Sequence, residues 1–397
     1  MAKKHKSLTE YAYRRYRLAG SAILEEHGNP FFAPTDTLKA EIQARGNGHF
    51  VSFANYDYLG LAEHPEVKAA AHNAIDTLGV GALASRLVGG ERSTHQKFED
   101  DLAKFIGTEA TLSLVSGYLT NLTVITHLMA KRDAIFLDEL SHNSVATGAR
   151  TSDADKIVFR HNDLDHLDQL LTEHREKYRN ALVVVESLYS MDGDTVDLAR
   201  VCDIKEKHGA WLLVDEAHSF GCFGAHGRGL AEEQGVEDEV DFVVGTFSKS
   251  LGAIGGFGAS SHPGFDLLRL CARPYMFTAS PSPASIASVQ AALRRIDTDP
   301  TLRDRLWANA HRLHAGFVGI GLQPCSPPSP VIAVALPDEI TAALAWNLLR
   351  EQGVYVNLAL PPGTPNSLCL LRSSVSAAHS FAQIDEIVAR FATVLGE

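Results

Sequence analysis

The chain of 397 residues is expected to be an α/β protein: a mostly parallel central sheet with helices on both faces, and a smaller C-terminal α+β domain. Three observations predict this. Short apolar, β-branched runs recur from about residue 110 to about residue 247, as in strands buried on both faces. Most intervals between them are long enough for the crossover helices that parallel strands require. After about residue 285 the rhythm changes to long helical patterns separated by isolated short strands.

Taken in order, residues 1–46 form an N-terminal arm, a charged helical stretch followed by an extended piece with Asn29-Pro30 and Pro34. Residues 47–285 form the large domain and residues 286–397 the small one. Strands are expected at Thr111–Val115, Ala134–Asp138, Lys156–Arg160, Ala181–Ser187, Trp211–Ala217 and Phe242–Phe247, with crossover helices such as Asp163–Tyr178 and Val196–Lys207. In the small domain a long helix runs from Ala284 to Arg295 and on toward His314. A strand at Val331–Ala335, a helix at Ile340–Gln352, strands at Val354–Asn357 and Cys369–Arg372, and a terminal helix complete it.

Composition narrows the function. At 45% hydrophobic the chain can bury a large core. Its formal charge of −12 argues against nucleic-acid binding, which needs a basic face. Five scattered cysteines without CxxC spacing suit a reducing, cytoplasmic setting. No secretory signal is recognisable, and no run of about 20 apolar residues suggests a membrane span. The basic stretch from Lys3 to Arg17, interleaved with Tyr11, Tyr13 and Tyr16, has two readings: peripheral contact with an anionic bilayer, or packing on a partner subunit. The eighteen histidines show no metal-ligand spacing, so no metal site is expected.

The chemistry lies at the strand ends. One run closes in Glu186-Ser187, the next in Asp215-Glu216-Ala217-His218, and the third in Thr246-Phe247-Ser248-Lys249. Ligands in such sheets sit at the carboxyl ends of strands. An acid buried there needs a cationic partner, and a protonated ring nitrogen would serve. A lysine partly buried beside it becomes a neutral nucleophile toward carbonyls. Small neighbours leave room for a planar ring. Ser116-Gly117-Tyr118, Thr246 and Ser248 offer hydroxyls and backbone N–H groups for a phosphate. A lysine that forms a Schiff base, an acid for a pyridinium and a phosphate cup together describe pyridoxal 5'-phosphate.

The motifs Asn55-Tyr56-Asp57-Tyr58-Leu59-Gly60, Ser85-Arg86-Leu87-Val88-Gly89-Gly90, Ser116-Gly117-Tyr118, Val214-Asp215-Glu216-Ala217-His218-Ser219, Gly245-Thr246-Phe247-Ser248-Lys249 and Phe277-Thr278-Ala279-Ser280 occur in that order. Each alone is weak. Together they resemble the α-oxoamine synthase family of fold-type-I pyridoxal-phosphate transferases, from about Asn55 to the C-terminus. Within the family, VVGTFSKSLGAIGGFGAS, LCARPYMFTAS and GVYVNLALPPGTP are most similar to the branch that uses L-serine.

The resemblance implies that Lys249 links the cofactor and later moves the substrate Cα proton. It implies that Asp215 pairs with the ring nitrogen, His142 stacks on the ring and His218 lies near its phenolic oxygen. Ser116, Gly117, Tyr118, Thr246 and Ser248 would hold phosphate and ring, with Glu186 and Ser190 in support. Tyr56, Asp57 and Ser85 would line the substrate side, and Arg372 would bind the amino acid's carboxylate through paired hydrogen bonds. Thr278 would reach the phosphate of a neighbouring subunit, implying a homodimer with shared active sites. The implied reaction is decarboxylative condensation of L-serine with a long-chain acyl-CoA, palmitoyl-CoA favoured, to an α-amino ketone. The alternative is alanine or glycine with another acyl-CoA or an acyl-carrier protein, as in 8-amino-7-oxononanoate synthesis. One position departs from the family pattern: Leu360 stands where an arginine often precedes the Pro-Pro turn. Carboxylate binding then falls to Arg372 alone, or the pocket is tuned to a different substrate.

Overall fold

The computed structural model describes residues 7–11, 35, 41–43, 49–361, 363–364 and 368–396. Most of the arm, and the basic stretch apart from residues 7–11, lies outside them.

The strands are β1 Glu41–Gln43, β2 His49–Ser52, β3 Ala110–Leu114, β4 Ala134–Asp138, β5 Asp155–Phe159, β6 Ala181–Glu186, β7 Trp211–Asp215, β8 Phe242–Thr246, β9 Gly256–Ser260, β10 Val331–Leu336, β11 Val354–Tyr355, β12 Asn357–Ala359 and β13 Cys369–Ser374. The central sheet has seven strands in the order β3-β9-β8-β7-β6-β4-β5. Strands β4 to β8 run parallel, and β9 is antiparallel to both of its neighbours, β8 and β3. Both faces are covered. Along β6, Val183 and Val185 enter one apolar core while Leu182 and Val184 enter the other, which is why these strands read as unbroken apolar runs.

Strand β9 carries no such signal, because its sequence is GFGAS. Its glycines answer to packing. A Cβ on Gly256 would come within 2.6 Å of the Gly117 Cα, and one on Gly258 within 3.0 Å of Val124. The helix Gly117–Leu128 lies directly on this strand, and bulk there would push it away from the site.

Two expectations for the C-terminal part are corrected. The long helix is two, Pro283–Thr298 and Thr301–Gly319. Asp299 leaves helical geometry, and Pro300 has no N–H to continue the ladder. The strand expected at Val354–Asn357 divides between two sheets. β11 pairs in parallel with β2, whereas β12 joins the antiparallel sheet β10-β13-β12. His49–Ser52 therefore hydrogen-bonds to the C-terminal part of the chain. Among the described residues no helix is long and apolar enough to cross a membrane.

The consequence for function is geometric. Strands β3, β4, β6, β7 and β8 all end on one edge, and register places Glu186 opposite Asp215, and Asp215 opposite Val244.

Candidate active site

That edge opens into a cavity of about 310 Å³. From β3 the chain passes through Ser116 into the helix Gly117–Leu128. Ser116 caps it, with Oγ accepting from the Leu119 amide at 3.1 Å. The first turn of this helix presses on the end of β8, where a Cβ on Gly117 would meet the Thr246 Cβ at 2.8 Å. Thr246 Oγ1 and Ser248 Oγ are hydrogen-bonded at 2.8 Å beside it. Unpaired amides at a helix start and two hydroxyls make a site for a phosphate.

Asp215 ends β7, is 4% exposed, and has its carboxylate held from two sides. Asn121 Nδ2 donates to Oδ2 at 2.6 Å and the Ala217 amide to Oδ1 at 2.9 Å. On the next strand Glu186 is equally buried. Burial, and then the Asp215 charge, push its pKa well up, so Glu186 favours the neutral acid. The His142 amide donates to its Oε1. His142 caps the helix Asn143–Thr151, and its ring lies edge-on to Tyr118 at 6.1 Å. Burial lowers the His142 pKa, against the pull of Asp215.

Lys249 follows β8 and lines the same cavity. Burial lowers its pKa, against the opposing influence of Asp215 and Glu186, and Arg372 lowers it further. The amine is thereby drawn toward the neutral, nucleophilic form. His218 is buried, its Nδ1 hydrogen-bonded to the Tyr58 hydroxyl at 2.7 Å. Burial first, then the charges of Lys249 and Arg372, hold it well below the usual histidine range. Its ring is neutral at physiological pH.

The remaining residues chosen from sequence lie elsewhere. Arg372 on β13 is 3% exposed. Its Nε donates to the Ser190 carbonyl and its Nη1 to Asn357 and Ser374, while Nη2 is buried without a hydrogen-bond partner among the described residues. The guanidinium lies 5.0 Å from the Tyr56 ring centroid, and Tyr56 meets His218 edge-on at 5.9 Å. A line of contacts thus joins Arg372 to the cavity. Asp57 does not face it: its carboxylate accepts from the Leu61 and Ala62 amides and closes a turn through Gly60, whose φ is +69°. Ser85 precedes the short 3-10 turn Arg86–Val88 without a side-chain capping bond and pairs with Ala279, next to Thr278; none of these lines the cavity. Ser190 contributes its carbonyl to Arg372. Leu360 packs against the core.

Sequence reasoning missed Asn121 and Ser144, which line the cavity and hydrogen-bond to each other at 3.0 Å. Little in the sequence could have found Asn121: it is 3% exposed, but it shares the buried face of its helix with Thr120 and Thr123 as well as Val124 and Ile125, so a polar residue does not stand out there.

These residues fit pyridoxal phosphate. A buried carboxylate, Asp215, paired with no cation among the described residues, faces a cavity that also holds a lysine and a phosphate cradle. Such a sheet and site define a fold-type-I pyridoxal-phosphate enzyme. The chain belongs to the aminotransferase class I and II family, which matches residues 48–391, and within it to the α-oxoamine synthases. It is 44% identical over 380 residues to a serine palmitoyltransferase of Caulobacter vibrioides, covering 96% of this chain and 94% of that one. A serine palmitoyltransferase variant from Sphingomonas paucimobilis, solved with a bound PLP–myriocin aldimine, superimposes with a TM-score of 0.94 at 37% identity, covering 98% of each chain. An 8-amino-7-oxononanoate synthase of Anaeromyxobacter sp. is 40% identical over 362 residues, covering 91% of this chain and 90% of that one. The enzyme is a pyridoxal-phosphate-dependent acyltransferase acting on amino-acid and acyl substrates.

Proposed function

We propose that the protein condenses L-serine with palmitoyl-CoA, releasing carbon dioxide and the CoA thiol, to give 3-ketodihydrosphingosine, the first step of sphingolipid synthesis. The observation that carries this reading is the near-full-length likeness to serine palmitoyltransferases. It is joined to a cavity that keeps Lys249, Asp215, His142 and His218 together. The synthase relatives match over shorter stretches of the chain than the serine palmitoyltransferases, which favours the serine reading over the alternative.

When bound, pyridoxal phosphate supplies an aldehyde for Lys249 and a ring that accepts the electron pair left as the serine Cα loses its proton. Ser116, the amides of the Gly117–Leu128 helix, Thr246 and Ser248 would hold the phosphate. Asp215, its carboxylate oriented by Asn121 and the Ala217 amide, would pair with the ring nitrogen. Tyr118 and His142 line the cavity where the ring would sit, and Glu186 supports the His142 turn. Lys249, whose buried amine is drawn toward the neutral form, would take the Cα proton. Arg372 offers Nη2 to the serine carboxylate, and its packing on Tyr56 fixes the plane of the guanidinium. His218 serves as a neutral hydrogen-bonding group tied to Tyr58.

The large domain, 47–285, supplies the cofactor side, and the small domain, 286–397, supplies Arg372. The working form is a cytoplasmic homodimer in which Thr278 serves the partner's site. Exposed apolar side chains on Thr278's own segment and on the nearby Ser85 turn support this: Leu83 is 95% exposed, Val88 73% and Phe277 68%.

Thiol release by the cofactor-loaded protein tests the reading. L-serine, L-alanine and glycine are each offered with acetyl-, pimeloyl-, succinyl- and palmitoyl-CoA. Release with serine and palmitoyl-CoA is expected; release with another pair alone overturns the assignment and makes Leu360 part of the reason.

A further inference from the structure

Behind the cavity lies a charged cluster that the cofactor does not need. His161, just after β5, has Nδ1 2.9 Å from Asp138 Oδ1 and Nε2 3.0 Å from Asp194 Oδ2. Both ring nitrogens face carboxylate oxygens. Only the doubly protonated ring donates to both. Tyr189 packs edge-on against it at 4.5 Å.

Each carboxylate organises a different loop. Asp138 Oδ1 accepts from the Leu140 amide at 2.8 Å, and the Asp138 carbonyl accepts from Ser141 at 3.0 Å, shaping the turn that ends in His142. Glu139 takes the His161 amide at 3.0 Å. Asp194 closes the loop after β6, its carbonyl accepting from the Tyr189 amide at 2.9 Å. Asn162, in the left-handed region at φ 50°, donates its amide N–H to Asp138 Oδ2 at 2.9 Å and its side chain to Asp194. The loop closed by Asp194 contains Ser190, whose carbonyl accepts from Arg372 Nε. It is pressed against the small domain, where a Cβ on Gly193 would come within 2.0 Å of the Val331 carbonyl.

We propose that His161, as an imidazolium clamped between Asp138 and Asp194, is a positioning residue for amino-acid binding. It fixes the His142 turn against the Ser190 loop, and through the Ser190 carbonyl it sets the guanidinium of Arg372. The proposal rests on the functional reading above. The charges around the ring agree with it. Burial opposes the cation, but Asp138 and Asp194 outweigh it and carry the His161 pKa up to about 10. Asp192, whose own pKa is raised by burial and by Asp194, adds a further acid to the surroundings.

The test uses cofactor-loaded protein carrying His161→Gln or Asp194→Asn. Gln retains a donor for only one carboxylate; Asn keeps the shape and removes the charge. Serine affinity is read from the visible spectral change without thioester, alongside KM for each substrate and the melting temperature. Serine Kd and KM should rise at least about tenfold in both variants, with KM for palmitoyl-CoA unchanged. The wild type's advantage over His161→Gln in serine affinity should shrink as pH rises through about 10, because Lys249 and Glu186 titrate in both proteins alike. Wild-type serine affinity in the variants overturns the proposal. So does an equal worsening of both KM values in step with the melting temperature, which marks a merely structural role. If His161→Gln does not fold, Asp194→Asn carries the same comparison. If the wild type responds to alanine or glycine instead of serine, the serine reading fails, and the variant-to-wild-type ratio for that amino acid still decides the role of His161.

Discussion

At the carboxyl edge of the central sheet, the cofactor-side residues reach the cavity from a strand end or from the few residues after it. On the side facing the small domain, the residues assigned to substrate are dispersed, and two assigned to the cofactor join them there. Arg372 approaches through Tyr56, Asp57 turns into its own loop and Ser85 lies outside the cavity; of the cofactor residues, Ser190 offers only a carbonyl and Thr278 lies outside the cavity. The difference follows from what fixes each region. Parallel register determines which residues stand side by side at a strand end, as with Glu186 and Asp215. The second region depends on how two parts of the chain dock and, for Thr278, on a second copy of the chain.

The largest effect tests the first region. Lys249→Ala should abolish turnover, lowering kcat by at least about 10³-fold. The protein should stay folded, because Lys249 makes no hydrogen bond that holds β8 to its neighbours. Circular dichroism and the visible spectrum check this together. Native folding without the absorbance of the lysine-linked cofactor is expected. An unchanged spectrum would remove Lys249 from the site.

Arg372→Lys probes the second region and should be milder on the cofactor. Lysine keeps the charge but loses the planar fork and the packing on Tyr56. The KM for serine should rise about 10- to 100-fold while the cofactor spectrum stays that of the wild type. A spectrum altered as strongly as the KM would mean that the two regions are not separable, and the comparison above would fail.

What the sequence revealed follows the same division. Lys249, Asp215 and His218 were legible because each stands at the end of an apolar run, where polar residues are conspicuous. Asn121 was hidden by position, since nothing local says which of the buried polar residues Thr120, Asn121 and Thr123 points at an acid 94 residues away. Strand β9 was hidden by composition: its glycines are required by the helix above it, and that requirement exists only after folding. The split of Val354–Asn357 between two sheets was invisible because β11 pairs with β2, about 300 residues earlier in the chain. His161 was passed over for a similar reason. Its meaning comes from Asp138 and Asp194, neither of which adjoins it in sequence.

A third contact, between the start and the end of the described chain, should matter for stability and hardly at all for catalysis. His379 is buried and stacks on Phe53 with ring centroids 4.2 Å apart. The Ser376 amide donates to its Nδ1 at 3.0 Å, and its Nε2 lies 2.9 Å from the Ser52 carbonyl. One nitrogen accepts and the other donates, so the neutral ring is the form that fits. Burial lowers its pKa from 6.5 to about 4. In the unfolded chain the same ring takes up a proton below about pH 6.5. Folding stability from this residue is therefore fully present above pH 6.5, and it falls as pH drops from 6.5 toward 4. At pH 5 the loss is about 2 kcal/mol, taking 1.36 kcal/mol per pKa unit. A His379→Gln variant retains an acceptor and a donor but does not titrate. Its activity at pH 7.5 should stay within about twofold of the wild type. Its stability should decline less between pH 7.5 and pH 5 than that of the wild type, by about the same 2 kcal/mol. Urea unfolding of both proteins at the two pH values measures this, and parallel losses would mean that His379 is protonated without cost in the folded state and that the β2 junction is looser than its hydrogen bonds indicate.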